Sequence, residues 1–197
     1  LLTDNLATGW QGALRAGVRE GSSVVVVGFG PVGMCAAMSA RELGAWELFV
    51  VDPLESRRAF AASLGSSALD AGAEVAARIV EQTLGGADAV VETAGREASI
   101  GTACAVAHAT GTISAVSVPS EAYSAPPLDR VAPTQRFRQT TASPQRAWPQ
   151  LLPRLASPAF ARVDEVFSHK LPLAAAARAY DLFGNRPEEC RKVQLEV

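Results

Sequence analysis

A chain of 197 residues has room for one substantial α/β domain and none for two of ordinary size. With 48% hydrophobic and 19% charged residues it can bury a core, which excludes a disordered chain. A net charge of −2 gives no electrostatic case for nucleic acid or an anionic membrane surface, and no apolar run approaches the length of a membrane span.

In chain order, a helix beginning around Thr8-Gly9-Trp10 is the first element expected, with Asp4 ahead of it as a favoured N-cap type. The run Val24-Val25-Val26-Val27 has no polar alternation, as expected of a parallel strand buried on both faces. A helix over residues 32–43 ends at Gly44, a strand follows at 48–51, and a helix over 55–64 ends at Gly65. A helix at 74–84 stops at Gly85-Gly86 before a strand at 87–92. Next come a helix at 98–107, a turn around Gly111 and a strand at 112–118. This alternation predicts right-handed βαβ crossovers and a doubly wound α/β parallel sheet, a Rossmann fold with strand order 3-2-1-4-5-6.

The stretch 119–133, with Pro126-Pro127 inside it, suits neither a helix nor a central strand and reads as a surface excursion before a last strand at 136–141. A short helix is expected after Pro149 as far as Leu155, then a strand at 163–168, a helix at 173–183 and a closing strand at 193–197. Cys35, Cys104 and Cys190 lie far apart with no CxxC spacing. That argues against a disulfide scaffold and fits a reducing cytoplasm. The first residues show no basic or long apolar stretch of a signal peptide, and a start at Leu1-Leu2-Thr3 reads as part of something longer.

Gly28-Phe29-Gly30-Pro31-Val32-Gly33 follows a strand and opens a helix. Gly28 permits the tight turn, Gly30 lets backbone approach a pyrophosphate, and Gly33 lets the helix pack close to the sheet. The helix N-terminus adds oriented N–H groups, and Pro31 suits its first turn, where no N–H is required. Glycine-rich turns are common, but Asp52 ends the second strand about twenty residues after Gly33, the spacing of a dinucleotide fold. A carboxylate there accepts from both ribose hydroxyls of NAD and repels the 2′-phosphate of NADP. Of the neighbouring Arg57 and Arg58, one is expected to cover the adenine ribose and the other to be solvated.

Several segments together resemble the medium-chain zinc-dependent alcohol dehydrogenases: residues 2–13, 21–33 and 51–52 with Arg57 and Leu64-Gly65, then 86–95, Lys170-Leu171-Pro172-Leu173 and Lys192-Val193. Their order over nearly the whole chain makes the likeness far more specific than the glycine turn alone. The resemblance implies the NAD-binding part of an enzyme that transfers hydride between an alcohol and NAD with a zinc ion, most catalytic machinery lying in another domain. It divides the chain into a linking segment and helix (1–20), a cofactor domain (21–145) and C-terminal elements (146–197) that return to that catalytic domain.

The resemblance also implies roles for single residues. Asp4 stands where members place a third protein ligand of the catalytic zinc, and oxygen ligation of zinc is ordinary chemistry; its reading as a helix cap stays open. Thr8 faces the nicotinamide carboxamide and Val32 buttresses the ring. Thr93, Ala94 and Gly95 line the cleft. Val116, Ser117 and Val118 match the segment whose backbone holds the carboxamide, with Ser117 replacing a usual glycine. Lys192 matches a basic residue reaching the pyrophosphate, with Arg191 the nearby alternative. No catalytic residue is assigned within this chain. His108 reads as a helix-end residue, His169 as an interface residue, and Cys35 and Cys104 as core packing.

The expected partners are a small alcohol or aldehyde substrate and a second copy of the chain, forming a homodimer, with no nucleic acid and no membrane. Two rivals remain in view: a zinc-free quinone or enoyl reductase of the same superfamily using NADPH, and an NAD-binding module without chemistry of its own. Asp4 with Asp52 weighs against the first, and the Asp4–Thr8 segment against the second.

Overall fold

Alternate valines of one short strand face opposite ways and so seed two cores. The computed structural model describes residues 1–117, 130–139 and 141–197. Helix α1 (Asn5–Ala16) comes first, and β1 (Ser23–Val27) runs through the centre of the sheet. Val24 and Val26 join a cluster with Leu6 and Trp10 of α1 and Met34 of α2 (Pro31–Glu42). Val25 and Val27 join another with Phe49, Ile79, Ile100 and Ile113. This is the period of two that a strand imposes, here with apolar cover on both faces.

The alternation continues through β2 (Glu47–Val51), α3 (Glu55–Ser63), β3 (Ser67–Leu69), α4 (Val75–Gln82), β4 (Ala87–Glu92), α5 (Glu97–Val106), β5 (Ala107–Ala115) and β6 (Arg136–Gln139). Among the described residues these strands form one sheet in the order β3-β2-β1-β4-β5-β6, and every pairing in it is parallel. The expected doubly wound sheet and its strand order are what the chain adopts. Val27 of β1 pairs with Val51 on one side and Glu92 on the other, which fixes where the strands' carboxyl ends meet.

Helix α1 belongs to the larger of these cores. A side chain at Gly9 would place its Cβ 2.5 Å from the backbone nitrogen of Ala36, so α1 and α2 touch backbone to backbone there. Trp10 is buried beneath the Arg154 guanidinium, which lies 5.5 Å from its ring centre.

The C-terminal part departs most from expectation. The helix sought after Pro149 is α6 (Pro144–Leu151), with Pro149 inside it and a 3-10 turn (Leu152–Arg154) following. Its first proline supplies the N-terminal start, and the second falls near the end of a helix of only 8 residues. The strand expected at 163–168 is a 3-10 turn over Val163–Val166. Val163 and Val166 are three apart, so they share the inner side of such a turn, whereas a strand would point them to opposite faces. Arg162 pins the turn through paired bonds to Glu165 of 2.6 and 2.7 Å.

The strand comes later, at β7 (His169–Pro172), and lies parallel to β8 (Val193–Glu196) in a separate two-stranded sheet. Between them run a 3-10 turn (Leu173–Ala175) and α7 (Ala176–Asn185), where one helix was expected. The fifth strand starts earlier than expected, at Ala107, but its first residues bulge. Register passes from Ala87↔Ala107 to Ala89↔Thr112, so the regular ladder begins at Thr112. Val118, residues 119–129 of the proline-rich stretch and Thr140 of the last strand lie outside the described residues. No helix among the described residues is long and apolar enough to cross a membrane.

Candidate functional site

The glycine turn sits at the carboxyl end of β1, flanked by the ends of β2 and β4. Gly28 has φ +87°, a left-handed conformation that a side chain would strain. A Cβ at Gly33 would come within 2.0 Å of the Gly28 carbonyl oxygen, so helix α2 could not close onto the turn with any larger residue. Gly30 differs: a Cβ there would meet only an Arg57 guanidinium nitrogen, 4.0 Å away. The helix N-terminus beside it, with Gly30 in the N-cap position and Pro31 first inside, has no side-chain cap. Open space next to unpaired first-turn N–H groups is what an anionic group requires. Val32 is partly buried in that same first turn and packs against the larger core.

Asp52 is 1% exposed, one residue past β2. One carboxylate oxygen accepts the Phe29 backbone N–H at 2.6 Å, and the other accepts the Leu54 N–H at 2.9 Å. The Arg57 guanidinium lies 3.5 Å from the oxygen that Phe29 holds. Asp52 is thus a brace between the glycine turn and the start of α3. Arg57 bridges Asp52 and the space beside Gly30, and its Nε is buried without a partner. Arg58 is partly exposed and engaged as well: it donates to the carbonyls of Asp52 and Pro53 and pairs with Asp70 at 2.9 Å.

On the far side of β1, the Thr93 hydroxyl donates to the Gly28 carbonyl at 2.8 Å, tying the loop after β4 to the turn. Ala94 and Gly95 follow, and both N–H groups point to the Glu92 carboxylate at 2.8 Å. Val116 is bonded through its N–H to the Glu92 carbonyl at 3.0 Å. The Ser117 hydroxyl donates to the Glu92 side chain at 2.7 Å. Glu92 is the site residue that sequence reasoning missed. Its signal was present: like Asp52, it is an acidic residue closing a run of buried valines at a strand's carboxyl end.

Asp4 and Thr8 stand together, with the Thr8 hydroxyl donating to the Asp4 carboxylate at 3.3 Å. Asp4 holds the N-cap position of α1, but its side chain makes no cap bond to backbone, so capping does not account for the carboxylate. Burial pushes the Cys35 thiol up to about 12, opposed by the charge of Lys192 and reinforced by that of Asp4. Asp4 and Lys192 therefore both act on the first turns of α2. Lys192 also lines a cavity of about 270 Å³ with Ala179, Tyr180, Phe183, Val193 and Leu195. Arg191 faces elsewhere, with its guanidinium 4.4 Å from the centre of the Phe60 ring.

No group of three or more His, Cys, Asp or Glu among the described residues could hold a metal ion. A protein zinc site takes three or four such ligands, so Asp4 alone does not make one. The glycine turn, the open space at Gly30 and the buried Asp52 do fit a dinucleotide.

Residues 31–157 match the family model described as zinc-binding dehydrogenase. The chain belongs to the zinc-binding dehydrogenase family. It is 41% identical over 182 residues to a probable zinc-binding alcohol dehydrogenase of Mycobacterium tuberculosis, covering 91% of this chain and 47% of that protein. Sheep sorbitol dehydrogenase is 30% identical over 185 residues, covering 91% of this chain and 52% of its own length. Among solved structures, the alcohol dehydrogenase TADH of Thermus sp. ATN1 superposes with a TM-score of 0.87 at 32% identity, covering 100% of this chain and 57% of that one. The chain spans about half the length of the curated relatives it matches. The fold of this family member is therefore the parallel α/β fold of the medium-chain dehydrogenases.

Proposed function

We propose that the chain is the NAD-binding part of a zinc-dependent alcohol dehydrogenase that passes hydride between an alcohol and NAD. The observation that carries the reading is the buried Asp52 carboxylate bonded to the Phe29 N–H of the glycine turn, beside the open space at Gly30. A carboxylate has about four lone-pair sites, and three are occupied by Phe29, Leu54 and Arg57. A ribose hydroxyl takes the remaining one and competes with Arg57, whose contact is the longest of the three. The nicotinamide ring supplies the hydride acceptor. Gly30 and the α2 N-terminus receive the phosphates, with Lys192 adding positive charge; Thr8, Val32, Val116 and Ser117 face the ring; and Asp4 offers one zinc ligand.

NADP is disfavoured on two counts. A 2′-phosphate would meet the Asp52 carboxylate, and Arg58 is already committed to Asp70 and two carbonyls. This argues against the NADPH-dependent reductase reading. The boundaries at residues 20 and 145, a cytoplasmic setting, a small alcohol or aldehyde substrate and a homodimer belong to the same proposal.

Calorimetric titration tests it: NAD binds more tightly than NADP, and Asp52→Ser narrows the gap. Equal or reversed affinities in the wild-type chain would overturn the cofactor assignment.

A further inference from the structure

Glu92 closes β4 with no exposed surface, and no ion pair among the described residues reaches it. Burying a carboxylate without a cation is costly unless hydrogen bonds replace its water. Here the replacement is full. One oxygen receives the N–H groups of Ala94 and Gly95, each at 2.8 Å, and the Ser99 hydroxyl at 2.7 Å; the other receives the Ser117 hydroxyl at 2.7 Å.

These donors come from three places: the loop after β4, the first turn of α5, and the segment two residues past β5. Packing alone does not call for such a residue, since a buried apolar side chain of similar size closes a strand at lower cost. What the carboxylate adds is a fixed relation between the three segments. The relation extends to the glycine turn, because Thr93 in the same loop donates to the Gly28 carbonyl at 2.8 Å. In a doubly wound sheet a dinucleotide lies across the point where strand order reverses, here between β1 and β4. One nucleotide half falls on the β2 side, where Asp52 braces the turn, and the other on the side of β4 and β5.

We propose that Glu92 is the positioning residue for the nicotinamide half, holding the loop after β4 and the Val116-Ser117 segment past β5 in the shape that receives the ring. The proposal rests on the reading of this site as an NAD site. It also gives Ser117 a purpose, since its hydroxyl carries the network to the segment past β5.

The test compares NAD with ADP-ribose, which lacks the nicotinamide, by calorimetric titration of the wild-type chain and three variants. Glu92→Met removes every acceptor at similar volume, and Glu92→Gln keeps an acceptor for the loop amides and can donate to Ser117. Ser117→Ala cuts the link to β5 alone and is mild enough to fold even where Glu92→Met is not. The expected result is about a tenfold loss of NAD affinity in Glu92→Met. A smaller loss in Ser117→Ala, near-wild-type NAD binding in Glu92→Gln, and ADP-ribose affinity unchanged throughout complete the pattern. Equal losses for both ligands, or an unchanged ratio in Ser117→Ala, would overturn the positioning role while leaving the NAD site standing. A wild-type chain that binds neither ligand would overturn the NAD reading itself.

Discussion

Cys35 shows how burial sets the protonation of a side chain within α2. Its thiol is buried in α2, and burial pushes its ionisation from 9.0 up to about 12. The unfolded chain loses this proton near its ordinary value while the native chain keeps it. Between about pH 9 and 12 the unfolded state is therefore favoured increasingly, and stability falls as pH rises through that window. Below it both states hold the proton and the thiol contributes no pH dependence. Urea midpoints for the wild type should drop more steeply across that range than those of Cys35→Ala; parallel slopes would rule out this thiol as the cause. Asp52 and Glu92 are buried as acceptors, each holding backbone N–H groups of the loops beside it. Removing either leaves backbone N–H groups unpaired, at a cost of about 1–3 kcal/mol for each orphaned group.

At the scale of single elements, β6 has the most open question. It lies at the edge of the sheet and, among the described residues, pairs only with β5. Its outer backbone groups are a template for a second copy, as the homodimer proposal requires. The edge carries little apolar surface, since Arg136 and Arg138 are exposed and Phe137 packs inward. Two-fold pairing would bring those arginines close to their copies across the axis, and like charges facing each other on paired strands oppose association. Salt screens that repulsion. Light scattering should find a dimer whose population grows with ionic strength; monomer alone at high concentration and high salt would sink the proposal.

The elements that sequence reading placed well are those with a run of bulky apolar residues or a terminating glycine: β1, β2, β4, α2 and α3. The glycine turn and Asp52 were legible for the same reason, because spacing along two strong elements defined them. Elements with weak local signals were not. Ser67–Leu69 is a three-residue edge strand with little β-branched content, and its place is set by pairing with β2. His169–Pro172 becomes a strand only because Val193–Glu196 lies beside it. Glu92 escaped notice because its partners come from loops that spacing does not bring together.

For the whole molecule, the sheet and the candidate nucleotide site are assembled within the described residues, and no metal centre is found among them. The described residues offer a single oxygen ligand at Asp4 and no group of three. Catalytic zinc takes three protein ligands and leaves one position open, and without the ion a developing alkoxide lacks its counter-charge. Incubated with NAD, zinc and a broad panel of alcohols, the chain should show no NADH absorbance above background. Sustained turnover would show that its own residues complete the chemistry, contrary to the proposal.

The tie between Thr93 and Gly28 has a consequence for the order in which the molecule assembles. The Phe29–Asp52 bond joins residues 23 apart in sequence, and the Thr93–Gly28 bond residues 65 apart. The first closes with the opening βαβ unit; the second waits until β4 has docked against β1, after a much longer loop has paid its closure entropy. The turn is thus complete only when both halves of the sheet have met, and it loosens once β4 withdraws. A ligand that recognises the closed turn binds the finished fold and no partly folded form, so its binding stabilises the native state by mass action. At a hundred times its dissociation constant that stabilisation is about 2.7 kcal/mol.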